Sequence, residues 1–418
     1  MRHACGYRAI PSGAWTRGPT MTTMGGPNEN KDKSTVIAID EIETTLIDLP
    51  TIRGHVLSMT TMTVQSVVLV RVRFSDGSEG IGEGTSIGGM SYGSESPESI
   101  KIAIDSYIAP LLEGRDADKV GDAAHLMARA VKGNPIARCA VECALWDGLG
   151  HRLGVPVAQF FGGAVRTAMP VAWTLASGNS ETDIAEAREM IAARRHDIFK
   201  LKIGKRAVRD DIAHVAAIKS ALGDAASIRV DVNQAWSFDE ARWGLSGLQE
   251  IGVDLVEQPI EARHLPQLRA LTEGYEIRVM ADEALQGPVD AMAAAGMRAA
   301  DVFAVKIAQS GGLKPASEVA AIARAAGIGL YAGTMLESGV GTAASLQLFS
   351  TLPALEWGTE LFGPLLMTAD LLETPIRYAD FAVHLPDGPG LGATVNEEVT
   401  RDFTRGRQPA VPSIALPG

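Results

Sequence analysis

Phe199-Lys-Leu-Lys-Ile203 begins the stretch that decides the fold, and Trp357-Gly-Thr-Glu360 ends it. Between them stand Arg229-Val-Asp231, Val256-Glu257-Gln-Pro259, Ala281-Asp282-Glu283, Val305-Lys306-Ile307 and Gly333-Thr-Met-Leu-Glu337. Each charged residue closes, or nearly closes, a short apolar run that reads as a strand, and a helix-like segment follows all but the last. Asp231, Glu257, Asp282 and Lys306 are 26, 25 and 24 residues apart, about the length of one strand, loop and helix. Charged residues at the carboxyl ends of successive barrel strands all point into one mouth. This is the layout of an active site.

Working outward, strand-like runs recur at Met169–Ala176, Phe199–Ile203, Ile228–Val232, Asp254–Glu257, Ile277–Met280, Val302–Ile307, Gly329–Ala332 and Ala354–Trp357. Alanine-rich amphipathic segments separate them, among them Asp183–Arg195, Val208–Leu222, Leu265–Leu271 and Ala316–Ala326. Eight strands alternating with helices predict an α/β chain with a parallel TIM-type barrel. A doubly wound sheet would need a Gly-rich nucleotide loop after its first strand, and none is present.

Ahead of the barrel, Ile37–Leu49, Val64–Phe74 and Glu79–Gly84 read as strands, with a hairpin turn at Asp76-Gly77. Three helices follow: Pro97–Leu112 with Ser96 as N-cap, Ala117–Val131, and Ile136–Leu153 ending at Gly154. Three strands and three helices make a compact α+β unit. The organisation expected is a disordered extension over 1–34, an α+β domain over 35–165, the barrel over 166–368, and a proline-punctuated segment over 369–418 that returns to the first domain. The extension is rich in Gly, Pro and polar residues. It lacks the apolar region of a secretory signal and the apolar face of a transit peptide, and Met21 and Met24 offer later starts.

Of the 418 residues, 46% are hydrophobic and 21% charged, which leaves ample core for a barrel with additions. A formal net charge of −12 argues against a nucleic-acid partner, since phosphate binding needs a basic surface. A lysine-lined mouth holding a metal ion can still take a dianion. Cys5, Cys139 and Cys143 show neither metal spacing nor a disulfide framework, and the latter pair reads as buried small residues on a helix. The reading expected is a cytoplasmic protein with no membrane span; the uncharged run after Glu337 carries Gly, Pro, Gln, Ser and Thr.

Asp231, Glu257 and Asp282 bring three carboxylates from adjacent strands, which would repel without a cation. Oxygen-only ligands favour Mg²⁺ or Mn²⁺, and the lack of accompanying His or Cys disfavours zinc. Lys200 and Lys202 lie two apart on one strand and so share a face. One can hold a substrate carboxylate while the other transfers a proton, its basicity lowered by neighbouring cations. Lys306 would approach the opposite substrate face. Glu337 and Glu360, at the ends of the seventh and eighth strands, could donate a proton, orient a lysine or bond a loop. Asn233 and Gln234 are candidates for orienting the ligands. In the first domain, Ser86-Ile-Gly-Gly-Met-Ser-Tyr-Gly93 reads as a lid whose Ile87 and Tyr92 cover a small ligand.

These motifs carry a resemblance to a known family. Lys200-Leu-Lys202, Asp231-Val-Asn-Gln-Ala-Trp236, Val256-Glu-Gln-Pro259, Ala281-Asp-Glu283 and Lys306-Ile307 resemble the enolase superfamily, muconate-lactonizing subgroup. The lid motif, Tyr331-Ala-Gly-Thr-Met-Leu-Glu337 and Trp357-Gly-Thr-Glu-Leu-Phe-Gly-Pro364 narrow it to the branch acting on muconate. The likeness spans about Ile37 to Phe403. Gln309-Ser310 departs from it, where a more basic pair is expected.

The resemblance implies a modified (β/α)7β barrel under an α+β capping domain, a divalent Mn²⁺ or Mg²⁺ on Asp231, Glu257 and Asp282, and a homo-oligomer, up to an octamer. It also implies reversible lactonization of cis,cis-muconate through a metal-stabilised enolate. Lys202 is then the proton carrier, assisted by Lys200, with Glu360 and Lys306 on the other side and Ile87, Tyr92, Glu337 and Phe362 around the substrate. Chlorinated muconates are the nearest alternative substrates; Ile87 and Phe362 are bulky and favour the plain diacid. Racemisation, dipeptide epimerisation and succinylbenzoate synthesis use the same scaffold. A metal-binding barrel without catalysis would not need a lysine on each face.

Overall fold

The structure, a computed structural model, describes residues 36–57 and 60–406; the extension expected at 1–34 and Cys5 lie outside them. From Ile37 onward the chain clusters as one compact unit. Strands β1 (Ile39–Val56), β2 (Thr61–Phe74) and β3 (Glu79–Thr85) form an antiparallel sheet in chain order. Gly77, at φ +82°, makes the β2–β3 turn that the sequence announced.

β1 runs seven residues past the expected end at Leu49. Proline has no amide to give to a ladder, so Pro50 reads as a stop. The register instead shifts between Pro50 and His55, and pairing resumes at His55↔Met62. This irregularity carries Arg53 and His55 out along the hairpin.

The back of the sheet is covered by the helix Pro135–Leu153. Gly80, Gly82 and Gly84 alternate along β3, and a Cβ added at Gly82 would stand 2.0 Å from the Ala140 carbonyl oxygen. The missing side chains let helix and strand backbones touch. The helix expected over Pro97–Leu112 starts as read, with a Ser96–Ser99 capping box. It then widens into a π turn at Ile104–Ile108. Pro110, which can neither donate to Ser106 nor let its carbonyl approach, accounts for the wider turn.

β4 (Ala168–Pro170) leads to the barrel. Its strands are β5 (Trp173–Leu175), β6 (Ile198–Lys202), β7 (Ser227–Asp231), β8 (Leu255–Glu257), β9 (Arg278–Ala281), β10 (Val302–Val305) and β11 (Gly329–Ala332), each paired with its chain neighbours. All the pairings whose register is resolved are parallel. The strands are apolar runs rather than alternating ones, as a sheet covered on both faces requires.

Two expectations need correction here. The eighth strand is not at Ala354–Trp357, which turns. The barrel closes just beyond, where Thr359 bridges both Val171 and Ala332 and the Glu360 amide bonds the Ala332 carbonyl at 2.8 Å. The first strand, expected whole over Met169–Ala176, is split. Pro170 cannot continue the ladder as a donor, and its carbonyl accepts from the Thr359 amide at 2.8 Å. β4 instead pairs with the C-terminal hairpin β12 (Tyr378–Ala379) and β13 (Ala382–His384). Beyond that hairpin the chain reaches β1, where Thr404 bridges Ile47 and Arg405 grips Asp48 at 2.6 Å.

Buried acids fasten the antiparallel sheet and its helix to the barrel. Glu83, on β3, accepts from Ser338 N and Gly341 N, both at 2.8 Å, at the start of the wholly buried helix Gly339–Phe349. Glu142 accepts from Leu313 and Lys314 amides at the start of Leu313–Ala326. Each carboxylate meets the positive end of a helix. Cys139 and Cys143 are buried, as read, and free. Among the described residues no helix is long and apolar enough to cross a membrane.

Candidate active site

Parallel pairing sets the level of the charged residues. Lys202 is opposite Asp231, Asp231 opposite Glu257, and Glu257 opposite Met280, two residues before Asp282. The spacing read from sequence therefore becomes a ring at the carboxyl ends of the strands. Lys306 follows β10, and Glu360 joins the ring through the closing bridge. Asp231, Glu257 and Asp282 are each 1% exposed.

The lysines are threaded among these acids. Lys200 Nζ lies 2.9 Å from Glu257, 2.5 Å from Glu360 and 3.4 Å from Asp231. Lys202 Nζ lies 2.5 Å from Asp231 and 3.1 Å from Asn233 Oδ1. Lys306 Nζ donates to Asp282 and to the Tyr92 hydroxyl, both at 2.7 Å, and sits over the Tyr92 ring. The Tyr92 hydroxyl donates to Asp282 at 2.6 Å. The lid residue thus touches a predicted metal ligand.

Electrostatics explain what this ring lacks. Burial opposes charge on Lys200, but Glu257, Glu360 and Asp231 outweigh it and hold its ammonium well above the usual lysine range. Burial likewise opposes charge on Lys306, and Asp282 outweighs it. Carboxylates surround both ammonium groups, so their attraction prevails over burial. Burial followed by Asp231 pushes Glu257 well up, and burial with Asp282 lifts Glu283 to about 8.

Three lysines face five carboxylates, counting Glu283 and Glu360. Among the described residues no three His, Cys, Asp or Glu side chains converge as a ready metal cage; the acids turn to ammonium groups instead. The donor set still fits a hard divalent cation: all-oxygen, buried, short of positive charge, with Glu283 Oε2 lacking any partner. Asp231, Glu257 and Asp282 would hold it.

A narrow cavity of about 10 Å³, room for about one water, opens above the ring. Ile87, Tyr92, Lys200, Lys202, Asp231, Asn233, Asp282, Lys306 and Glu360 line it as the sequence suggested. Glu257, Gln234, Glu337 and Phe362 do not. Gln234, at φ +67°, accepts from the Ala262 amide. Glu337 lies five residues past the end of β11, bound to Thr334 Oγ1 and the Met335 amide. Phe362 packs on Trp173 with centroids 5.0 Å apart. Gln309, the departure from the family pattern, is buried and reaches the Asp282 carbonyl at 3.3 Å.

Sequence reasoning missed His55, Leu57, Thr334 and Leu336 in the lining. The available signal was the period of two after Pro50, which puts Thr51, Arg53 and His55 on one face.

Comparison with known proteins agrees with this geometry. Residues 41–162 match the family described as mandelate racemase/muconate lactonizing enzyme, N-terminal domain, and residues 182–399 match the enolase C-terminal domain-like family. A muconate cycloisomerase of Acinetobacter lwoffii is 55% identical over 89% of this chain and 98% of its own. A chloromuconate cycloisomerase of Delftia acidovorans is 46% identical over 88% and 99%. The crystal structure of muconate lactonizing enzyme from Pseudomonas fluorescens, complexed with muconolactone, superposes with a TM-score of 0.88 at 52% identity, covering 88% of this chain and all of that one. The chain belongs to the enolase superfamily. Within it, this is a member of the muconate-lactonizing subgroup, a family of enzymes that use a divalent metal.

Proposed function

We propose that the chain is a muconate cycloisomerase that interconverts cis,cis-muconate and muconolactone. The observation that carries this is the mouth itself: lysines from β6 and from the end of β10 face one small cavity beside three buried carboxylates. Proton transfer to or from a carbon beside a carboxylate needs that combination. A divalent ion on Asp231, Glu257 and Asp282, Mn²⁺ or Mg²⁺, would supply positive charge where negative charge grows on the substrate carboxylate.

The chain's own residues do the rest. In the lactonizing direction an oxygen of one substrate carboxylate bonds to the β carbon of the other carboxylate's arm, closing a five-membered ring. The electron pair moves towards that second carboxylate, and its α carbon takes a proton from Lys202 Nζ. The reverse reaction returns that proton. Lys200, fixed between Glu257 and Glu360, neutralises charge beside Lys202. Glu360 and Lys306 are the acid/base candidates across the cavity, and Asn233 orients both Lys202 and Glu283. Leu57, Ile87 and Leu336 give the diene an apolar wall.

Chloromuconate turnover is the second reading, favoured by the Delftia relative's 46% identity; the narrow cavity, with Ile87 at its wall, favours the unsubstituted diacid. The test is loss of diene ultraviolet absorbance with Mn²⁺ and cis,cis-muconate. Metal-dependent loss abolished by EDTA supports the proposal. No loss in a protein that binds Mn²⁺ would move the activity to racemisation or epimerisation. The resemblance also leads us to propose a homo-oligomer, up to an octamer, in the cytoplasm; light scattering tests the assembly.

A further inference from the structure

We infer that His55, reaching down from the β1–β2 hairpin, is the hydrogen-bond donor that receives the substrate's attacking carboxylate, the one that closes the lactone ring. The inference rests on the muconate reading above and adds a residue to it.

A dicarboxylate in this cavity presents two anionic ends. One faces the carboxylate ring and its cation. The other must meet a donor, since a carboxylate buried without one is costly. Nearly every polar donor in the lining is already committed. Lys200 is held by Glu257 and Glu360, Lys202 by Asp231 and Asn233, and Lys306 by Asp282 and Tyr92. The Tyr92 hydroxyl gives to Asp282, the Asn233 amide to Glu283, and the Thr334 hydroxyl to Glu337. His55 is 1% exposed, lines the cavity, and its Nδ1 has no partner.

His55 is also held in place. Arg53, two residues earlier on the same face of β1, donates to the Thr174 carbonyl at 3.0 Å and to Glu186 at 3.1 Å. Glu186 in turn accepts from the Trp173 indole at 2.8 Å. The hairpin is therefore pinned to β5 and to the helix Ser180–Ala192, which fixes the imidazole over Lys200 and Lys202. Burial and the charges of Lys202, Arg53 and Lys200 bring its pKa to about 3, so the ring is neutral at working pH. A neutral imidazole donates through one nitrogen only. Facing a carboxylate, which offers no proton, Nδ1 must carry it.

Asparagine places its amide nitrogen where Nδ1 stands, whereas glutamine reaches the Nε2 position and leucine removes the donor. The experiment compares His55→Asn, His55→Gln and His55→Leu with wild type by calorimetric binding of adipate, an unreactive six-carbon dicarboxylate, of a dienoic monocarboxylate such as sorbate, and of Mn²⁺ alone. The expected result is a loss of dicarboxylate affinity of about 10–100-fold in His55→Leu and His55→Gln, as for one hydrogen bond to a charged group. His55→Asn recovers most of it, and sorbate and Mn²⁺ bind all variants alike. Equal losses for sorbate and adipate, or no preference for asparagine over leucine, overturn the inference. Wild-type protein that binds adipate but turns over no cis,cis-muconate would refute the activity and leave the His55 comparison readable. Turnover in wild type with unchanged affinity in His55→Leu would refute His55 alone.

Discussion

Replacing Glu83 by glutamine tests how the antiparallel sheet is seated on the barrel. Its carboxylate, 5% exposed, accepts four hydrogen bonds: Thr85 Oγ1 and Ser338 N at one oxygen, Ser338 Oγ and Gly341 N at the other. An amide keeps one acceptor oxygen. The hydroxyls can rotate to accept from the new NH₂, but a backbone N–H cannot. Whichever way the amide turns, Ser338 N or Gly341 N is left unpaired. A Cβ at Gly341 would already stand 3.3 Å from the Glu83 carboxyl carbon, so no water fits as a substitute. An orphaned buried donor costs about 1–3 kcal/mol, and loss of the negative charge at the start of Gly339–Phe349 costs up to about 1 kcal/mol more. Glu83→Gln should therefore be less stable by about 1–4 kcal/mol. Urea unfolding followed by tryptophan fluorescence reads this as a lower midpoint at unchanged slope. A change below about 0.5 kcal/mol, the range of ordinary surface substitutions, would refute the reasoning.

Lys202→Ala should lower kcat by at least the 10²–10⁴-fold typical of a lost general acid or base, with Mn²⁺ affinity by calorimetry little changed; substantial residual turnover would remove Lys202 from the mechanism. Asp282→Asn should weaken Mn²⁺ binding in the same calorimeter. Glu142 gives a pH dependence. Burial lifts its folded pKa to about 7 from 4.5, so the folded state holds the proton more tightly. Its stabilising share is complete below the unfolded value and is lost as pH rises through 7, at most about 3 kcal/mol at 1.36 kcal/mol per unit. Glu142→Gln should flatten the fall in urea midpoint between pH 5 and 8. Gly82→Ala would drive a methyl into the Ala140 carbonyl and should cost several degrees in melting temperature, read by calorimetric scanning.

Much of the barrel was legible because its strands are short apolar runs ending in charge, and parallel pairing of such runs can only put Asp231, Glu257 and Asp282 side by side. Pro50 reads as a stop, whereas the readings over 169–176 and 97–112 run straight through Pro170 and Pro110; a register shift, a split strand and a π turn are how the chain accommodates the three. The closing residue Thr359 makes only isolated bridges, with no apolar run to mark it. Glu337 looked like a strand end because Tyr331-Ala-Gly-Thr-Met-Leu is apolar, but β11 stops at Ala332. For His55 the period of two after Pro50 gives a face but not what that face meets; contacts across 121 and 133 residues, from Arg53 to Thr174 and Glu186, decide that.

The central claim is that this mouth moves a proton to carbon through Lys202 while closing a lactone. The direct measurement is turnover of cis,cis-muconate in D₂O with Mn²⁺, followed by proton NMR. The account predicts muconolactone carrying one deuterium on the methylene beside its free carboxylate, and none formed by Lys202→Ala. Consumption of the diene without that product, or the same labelled product from Lys202→Ala, would contradict it.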